Sequence, residues 1–229
     1  MSYNLSVIIP ALNEENNIVD LINYIINENV NAEIIVSDGN SDDKTASLAS
    51  SAGAKVITGK KGRARQLNRG AEIASAPILL FLHADSLLEE GALDLLVKKY
   101  NGKKDIIGGC FHLEIASQKK LLKFISWTSN LRAKYLNLIF GDQGIFIKRK
   151  YYNQIGGFPE IELMEDWEFS KKMAACGKLL YLNKKIFTSA RRWEKNGILK
   201  TIIFMYKIKI LYILGVEPKK LKKIYKDVR

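Results

Sequence analysis

The chain has 229 residues and a formal net charge of +12, and it is 47% apolar and 26% charged. This composition excludes a disordered chain and predicts one well-filled core with a small appended element. The two cysteines lie far apart and, together with the two histidines, match no disulfide framework or zinc-ligand spacing. The first residues lead into an apolar strand without a charged leader, which favours a cytosolic location.

The charge is distributed unevenly along the chain. Residues 1–114 carry 11 Lys and Arg against 15 Asp and Glu, a balance of −4, whereas residues 115–229 carry 25 against 9, a balance of +16. Such a basic half predicts an anionic partner, which could be nucleic acid, anionic lipid or a phosphate-rich ligand. We expect no specific nucleic-acid binding, because no zinc-finger, basic-zipper or aromatic RNA-binding signature accompanies the lysines.

Three strand–loop–helix units open the chain. Residues 5–10 and 33–38 are apolar strands, and each is followed by a short polar loop and a helical pattern. The third unit runs from residues 55–58 into a basic helix at 62–72. Repetition of strand, loop and helix predicts an α/β fold with a parallel sheet and right-handed crossovers.

A fourth apolar run, residues 78–82, ends in a carboxylate at Asp85. Open α/β sheets bind ligands beyond the carboxyl ends of their strands, so we expect Asn13, Asp38 and Asp85 to converge on one crevice. A single Asp after a strand is often only a helix cap. Three polar groups after three strands favour a ligand site instead.

The second half of the chain contains a strand, a helix, a short strand and another helix. Their predicted ranges are 105–115, 121–140, 144–147 and 163–176. The Gly108-Gly109 pair indicates a bulge or a close backbone approach in the first of these strands. Gly177 is a suitable residue to end the last helix.

The C-terminal region combines an apolar segment with a basic amphipathic one. As a helix, residues 198–214 would be about 25 Å long, shorter than the roughly 30 Å hydrocarbon core, and they contain three lysines. We therefore expect no membrane-spanning helix there. A second helix, opened by Pro218, has one apolar face among lysines. It can lie on an anionic membrane or pack on the domain, and the sequence leaves both open.

Ordered motifs along nearly the whole chain resemble family 2 glycosyltransferases of the GT-A fold. These motifs are residues 7–15, residues 36–45, His83-Ala84-Asp85, residues 141–144, residues 156–158, Glu165-Asp166 and Arg191-Arg192-Trp193. The resemblance is strongest to small, single-domain bacterial members with an apolar, basic C-terminal end. It implies an α/β fold with a mostly parallel central sheet flanked by helices and with C-terminal amphipathic helices.

The resemblance also implies a division of the chain. A GT-A catalytic domain would cover residues 1–196, with a nucleotide-binding half at 1–114 and an acceptor or catalytic half at 115–196. Residues 197–229 would form an apolar, basic helical extension, with an anionic membrane surface as a candidate partner of residues 198–229.

By resemblance, the protein would move a sugar from a nucleotide-sugar, most often UDP-linked, to an acceptor hydroxyl with inversion. The nucleotide-binding residues would be Pro10, Asn13, Glu14, Asp38, Arg65 and Ala84. Asp85 would bind Mg²⁺ or Mn²⁺ as the final acid of an Asp-X-Asp motif. His83 stands in place of the first acid of that motif, which weakens the expectation of metal dependence.

The remaining implied roles belong to the acceptor side. Asp166 would be the general base, and Glu165 is a second candidate for that role. Asp142, Gln143, Arg192 and Trp193 would contact the acceptor or a phosphate. Packing is the alternative for Trp193, and turn chemistry is the alternative for Asp142 and Gln143.

A nucleotidyltransferase or a non-catalytic nucleotide-sugar-binding protein is the alternative function. Nucleotidyl transfer normally needs a glycine-rich basic loop after the first strand. Residues 11–15 are acidic and contain no glycine, which argues against it.

Overall fold

The computed structural model describes residues 3–101 and 105–226, except for the side chains of Asn101, Arg192, Lys195, Asn196 and Lys226. The strands in this part of the chain are β1 (Leu5–Ala11), β2 (Ala32–Asp38), β3 (Lys55–Thr58), β4 (Ile78–Phe81), β5 (Ser86–Leu88), β6 (Ile106–Ala116), β7 (Ile145–Lys148) and β8 (Lys178–Ser189). The helices are α1 (Ile18–Asn27), α2 (Thr45–Ser51), α3 (Arg63–Glu72), α4 (Ala92–Asn101), α5 (Lys120–Leu136), α6 (Arg149–Gln154), α7 (Glu165–Cys176), α8 (Arg191–Asn196), α9 (Ile198–Ile213) and α10 (Pro218–Lys226).

All eight strands form one sheet in the order β3-β2-β1-β4-β7-β6-β8-β5. The first four strands pair in parallel, and their register places Ala11 of β1 opposite Asp38 of β2. The polar loops that follow β1 and β2 therefore leave the same edge of the sheet. This half confirms the predicted parallel α/β arrangement.

Helices cover both faces of this parallel half, which explains its continuous apolar strands. Val7 and Ile9 of β1 belong to the core cluster that includes α1, whereas Ile8 between them belongs to the cluster that includes α3. All three side chains are fully buried. Alternate residues of one strand thus anchor helices on opposite faces.

The second half of the sheet mixes directions. β7 runs antiparallel to both β4 and β6, β8 runs parallel to β6, and β5 is antiparallel to β8. Gly108 and Gly109 lie beside a register shift, and a Cβ at Gly109 would clash with the Leu180 carbonyl oxygen. Both predicted explanations of the glycine pair, the bulge and the close backbone approach, are confirmed.

The predicted helix at 121–140 is shorter than expected, because α5 stops at Leu136 and Asn137 takes the left-handed conformation, with φ 54°. The C-terminal helices α9 and α10 bury Thr201, Ile208 and Leu221, and the Tyr212 hydroxyl of α9 donates to Glu168 of α7 at 2.8 Å. In the described part of the chain, no helix is both long and apolar enough to cross a bilayer.

Candidate functional site

The buried carboxylate of Asp38 organises the loop at the end of β2. Ser41 donates two hydrogen bonds to it, from its hydroxyl to Oδ1 (2.5 Å) and from its backbone N–H to Oδ2 (2.9 Å). The Ser41 hydroxyl oxygen accepts a bond from the Asn13 N–H (2.9 Å), and the Asn13 side chain accepts one from the Asp42 N–H (2.9 Å). The structure therefore brings Asn13 and Asp38 together, and Ser41 links them.

Glu14 and Pro10 lie on the same edge of the sheet. The Glu14 N–H donates to Thr45 Oγ1 at 2.8 Å, and the Glu14 carboxylate accepts from Asn17 Nδ2 at 2.8 Å, just before α1. Pro10 is half-buried at the end of β1, opposite Ser37. Both residues line the edge on which Asp38 lies.

Helix α3 joins this edge to the rest of the site through residues that the sequence analysis did not single out. Gln66 Nε2 donates to the carbonyls of Ala11 (2.8 Å) and Ser37 (3.0 Å), which bridges the ends of β1 and β2. Arg69 donates to the Asp38 carbonyl at 2.7 Å. The sequence shows that the segment containing Gln66 and Arg69 is polar, but it does not show which groups these side chains bind.

Asn68 on the same helix holds the loop before α7. Its Oδ1 accepts from the Phe158 N–H (2.9 Å) and the Tyr152 hydroxyl (2.6 Å), and its Nδ2 donates to the Phe158 carbonyl (2.8 Å). Gly157 in this loop has φ 65°, and a Cβ there would lie 2.9 Å from both Asn68 Oδ1 and the Tyr152 hydroxyl oxygen. These contacts fix the approach of the chain to Glu165 and Asp166.

The arginine that faces the centre of the site is Arg63 rather than Arg65. Arg65 pairs with Glu160 at 3.1 Å, and both side chains are about half exposed, at 51% and 57%. Arg63 Nε lies 3.9 Å from Glu165 Oε1. Desolvation opposes the charge of Arg63, but neighbouring carboxylates, including Glu165, Asp166 and Asp85, hold its pKa above the usual value. A role for Arg65 at the diphosphate stays a prediction.

The carboxylate of Asp166 is held at the start of α7. Its Oδ2 accepts from the Gly141 N–H (2.9 Å), and its Oδ1 accepts from the Trp167 N–H (2.8 Å). A negative charge in the first turn of a helix is favoured by the helix dipole. Each oxygen of this half-buried carboxylate therefore accepts one backbone N–H bond.

His83, in the loop after β4, lies close to this carboxylate. A Cβ at Gly141 would lie 2.7 Å from His83 Nε2 and 3.6 Å from Asp166 Oδ2, so all three groups are close together. Desolvation, with the charge of Arg63, holds the pKa of His83 well below its usual value, which keeps the imidazole neutral. The structure thus places the loop after β4 and the start of α7 on the same side of the sheet.

Glu165 is buried beside Asp166, with a relative exposure of 6%. Burial and the negative charge of Asp166 raise its pKa to about 7, and Arg63 works in the opposite direction. Near neutral pH this carboxyl is therefore partly protonated.

Asp142 and Gln143 lie in a short 3₁₀ helix, Gly141–Gln143, beside Asp166. Desolvation raises the pKa of Asp142, and its Oδ1 is buried without a hydrogen-bond partner among the described residues. Gln143 is fully buried, and its Oε1 accepts from Arg132 at 2.9 Å. Within the described structure its Nε2 also has no partner. Two unpartnered polar atoms thus lie next to the candidate base.

The last motif is only partly described. Trp193 packs against the small apolar cluster of Ile115, Leu122 and Ala190, which is the packing alternative considered from the sequence. Arg191 donates to Asn17 Oδ1 at 3.3 Å. The predicted contact of Arg192 with the acceptor or a phosphate lies outside the described side chains.

An open apolar groove of about 900 Å³ lies beside Trp167, the residue after Asp166. Its walls come from the end of α5, from α7 and from the α9–α10 junction, and they include Leu138, Ile161, Trp167, Tyr212, Ile213 and Val216. The Trp167 ring, which lines the groove, lies 5.7 Å from the ring of Phe140, the residue before Gly141.

The Asp85 carboxylate is the kind of oxygen ligand that a hard cation takes. Asp85 is exposed at the edge of the sheet, near Arg63, and the neighbouring imidazole of His83 is neutral. Among the described residues, no group of three His, Cys, Asp or Glu side chains could hold a metal without a substrate. Mg²⁺ commonly binds through one or two carboxylates together with substrate phosphates.

Solved structures with the same architecture include glycosyltransferases. TarS residues 1–349 from Staphylococcus aureus superposes with a TM-score of 0.67 at 15% identity and covers 82% of this chain and 61% of that one. Mannosyltransferase PcManGT from Pyrobaculum calidifontis, in complex with GDP-Man and Mn²⁺, gives a TM-score of 0.64 at 20% identity and covers 98% and 68%. The fold is therefore that of a GT-A protein.

The sequence comparison gives the family. The model of glycosyl transferase family 2 matches residues 6–156, so the chain belongs to that family. The 4,4'-diaponeurosporenoate glycosyltransferase of Staphylococcus haemolyticus is 35% identical over 106 residues. This match covers 42% of the present chain and 28% of that protein, so the chain matches less than a third of its curated relative's length.

Proposed function

We propose that this protein is an inverting glycosyltransferase that moves a sugar from a nucleotide-sugar, with UDP as the expected nucleotide, to an acceptor hydroxyl. The observation that carries the proposal is the position of Arg63. Its Nε lies 3.9 Å from Glu165 Oε1 at the start of α7, and the carboxylates whose charges raise its pKa include Asp166 of α7 and Asp85, which follows β4. A cation between carboxylates from the two halves of the chain is suited to a substrate that bridges donor and acceptor sites.

The nucleotide would lie across the ends of β1 and β2. Asp38 would exchange its hydrogen bonds from Ser41 for the base, while Pro10, Asn13, Glu14 and Ala84 would line the pocket. Structures of TarS in complex with UDP and with UDP-GlcNAc share this fold, which supports a nucleotide-sugar donor. The identity of the sugar would be set by loops that vary between members of a fold.

The diphosphate would lie between Asp85 and Arg63. A Mg²⁺ or Mn²⁺ ion held by Asp85 and the phosphates would neutralise charge on the departing diphosphate. The guanidinium of Arg63 can contribute to the same task without a metal, because arginine keeps its charge and binds phosphate through paired N–H groups.

Asp166 would accept the proton of the acceptor hydroxyl as its oxygen attacks the anomeric carbon. The N–H groups of Gly141 and Trp167 fix the orientation of its carboxylate. Glu165 is less suited to the role, because it is buried and faces Arg63. One base and a stabilised leaving group are sufficient for a single displacement, unlike the two carboxylates of a hydrolase.

The test begins with a thermal-shift screen against UDP-, GDP- and dTDP-sugars to identify the donor. Nucleotide release from that donor is then measured with Mn²⁺, with Mg²⁺ and in EDTA. Asp166→Asn should lower turnover by about 100-fold or more and leave nucleotide affinity unchanged. Glu168→Gln on the same helix is the matched control and should keep its turnover. Loss of nucleotide binding in Asp166→Asn would contradict the assignment of the base.

Peripheral membrane association is the second part of the proposal. The outer face of α9 presents apolar side chains at helical spacing that are 48–67% exposed, namely Leu199, Ile203, Tyr206, Ile210 and Ile213. Phe124 and Trp127 on α5 are also more than half exposed. With the lysines of the same helices, such a face suits an anionic membrane surface. In contrast, α10 buries Leu221 and packs Tyr225 against Phe204.

Vesicle sedimentation tests this part of the proposal. Ile210→Asp should reduce binding to phosphatidylglycerol-containing vesicles, whereas Ile26→Asp on α1 should not. Both isoleucines are 55% exposed, so the two variants differ only in the face that they change. Equal binding of the two variants would refute a role for α9.

A further inference from the structure

The groove beside Trp167 is built from the same two segments as the candidate base. Trp167 lines the groove, and its N–H donates to Asp166 Oδ1 at 2.8 Å. Leu138, a second wall residue, lies two positions before Phe140, whose ring is 5.7 Å from that of Trp167. The next residue, Gly141, donates to Asp166 Oδ2 at 2.9 Å. Both backbone groups that orient the carboxylate therefore belong to the segments that form the groove.

The charged side chains on the walls of the groove are all engaged with other groups of the protein. Glu168 accepts from Lys171 (3.1 Å) and from the Tyr212 hydroxyl (2.8 Å), Lys172 donates to the Ile155 carbonyl (3.3 Å), and Glu217 pairs with Lys220 (3.6 Å). An ion entering the groove would lose hydration and would meet charges that are already paired. The lining therefore suits an uncharged, apolar occupant.

The groove is continuous with the exposed apolar face of α9. Ile213 belongs to both, because it lines the groove and is 67% exposed next to Ile210 on that face. Leu136 at the end of α5, another wall residue, is 65% exposed. Contiguous exposed apolar surface marks a place where an apolar partner binds. An apolar chain that lies against α9 can thus enter the groove without crossing water.

The size of the groove favours a small molecule over a second protein. Its volume of about 900 Å³ lies within the range of small-molecule sites, roughly 300–1,000 Å³. A stable protein partner would instead need a broad surface of about 800 Å² on each side. A single flexible chain fills a groove of this kind.

We propose that the acceptor is an amphiphile whose apolar chain lies in the groove and whose hydroxyl reaches Asp166. This inference rests on the proposed function and names the chemical class of its acceptor. The acceptor oxygen forms a bond to the anomeric carbon while its proton passes to Asp166. The nucleotide diphosphate leaves with the electron pair of the broken carbon–oxygen bond. The α9–α10 junction then forms one wall of the acceptor site.

The first experiment measures the affinity of n-alkyl β-D-glucosides by calorimetry, without vesicles and below their micellar concentrations. The wild type should bind about threefold more tightly per added methylene from hexyl to decyl glucoside, because each methylene is buried in the groove. Ile213→Asp should weaken decyl glucoside binding by about tenfold or more, whereas Ile203→Asp should keep the wild-type affinity. Both isoleucines are exposed on α9, at 67% and 62%, but only Ile213 lines the groove. Equal affinities of the two variants would overturn the inference.

A second variant changes the volume of the groove rather than its polarity. Val216 is a partly buried wall residue, so Val216→Trp would fill the groove. This variant should also weaken decyl glucoside binding and should remove the dependence on chain length. Wild-type affinity and chain-length dependence in Val216→Trp would place the chain elsewhere and overturn the inference.

The position of the hydroxyl end is tested without turnover. In protein with ¹³C-labelled aspartate, decyl glucoside should shift the carboxyl signal of Asp166, assigned through Asp166→Asn. The signal of Asp20, an exposed residue of α1, should stay in place. Chain binding with an unchanged Asp166 signal would show that the groove does not belong to the acceptor site.

Two further measurements separate the alternatives. In sedimentation velocity, a dimer that excludes decyl glucoside and dissociates in Ile213→Asp would assign the groove to a second copy of this chain and overturn the inference. Absence of nucleotide release with every nucleotide-sugar would overturn the proposed function, while the glucoside affinities would still decide whether the groove binds an apolar chain. Affinity that is independent of chain length, in protein that releases nucleotide, would overturn the acceptor class alone.

Discussion

Replacement of Glu165 by glutamine should stabilise the protein at alkaline pH. The native pKa of this buried carboxyl is about 7, against a usual value of 4.5. Between these values the native state holds a proton that the unfolded chain has lost. The contribution of Glu165 to stability is therefore complete below pH 4.5 and is lost as the pH rises through 7.

The size of this effect follows from the pKa difference. A shift of about 2.5 units, at about 1.4 kcal/mol per unit, corresponds to about 3 kcal/mol of lost stability over the whole range. Glutamine removes the titration and keeps the shape of the side chain. The contact with Arg63 offsets little of this gain, because Arg63 is 47% exposed and such pairs contribute about 0–1 kcal/mol.

Urea denaturation followed by circular dichroism at pH 5, 6.5 and 8 measures the effect. The stability of Glu165→Gln relative to wild type should rise by about 2 kcal/mol between pH 5 and pH 8. Glu160→Gln, at an exposed carboxylate paired with Arg65, is the control and should show no such trend. A pH-independent difference for Glu165→Gln would refute the assignment of a proton to Glu165.

Three further predictions concern the site. Gly141→Ala would place a Cβ 2.7 Å from His83 Nε2. The variant should lower kcat by about tenfold or more, because a displaced Gly141 N–H no longer orients Asp166. Unaltered turnover in steady-state kinetics would contradict this prediction. Asn68→Ala removes three hydrogen bonds to Tyr152 and Phe158 and should lower the free energy of unfolding, measured by urea denaturation, by about 2–3 kcal/mol. A loss below about 0.5 kcal/mol, on the order of a surface substitution, would show that the loop keeps its conformation without Asn68. Asp38→Asn should weaken nucleotide binding, measured by calorimetry, by about tenfold, whereas Asp42→Asn, at an exposed position, should not. Equal affinities of the two variants would show that Asp38 does not bind the nucleotide.

The parallel half of the fold could be predicted because its physical signals are local. Few other folds are compatible with continuous apolar strands that are each followed by a polar loop and a helix. Strands β1 to β4 form the parallel arrangement that this pattern predicts. β8 was missed because a register shift interrupts its pattern between Leu182 and Lys185. β5 was missed because three residues at the edge of a sheet carry almost no periodic signal.

The sequence indicated where helices form more readily than it indicated which of their residues face the site. Arg63 and Arg65 lie two positions apart on α3, so they point to nearly opposite sides of the helix. A basic segment at that place was evident, but only the packing of α3 shows which arginine faces the carboxylates. The packing of α9 depends on contacts far apart in sequence, such as the hydrogen bond from Tyr212 to Glu168, which composition cannot reveal.

If Asp38 and Asp166 serve one reaction, a single nucleotide-sugar must bind in a cleft that both residues line. Paramagnetic broadening by Mn²⁺ with UDP, observed on ¹³C-labelled aspartate signals, tests it most directly. The Asp38 and Asp166 signals should both broaden when Mn²⁺ and UDP are added together, and Asp85→Ala should remove the effect. Broadening at Asp38 with a sharp, unchanged Asp166 signal would contradict it.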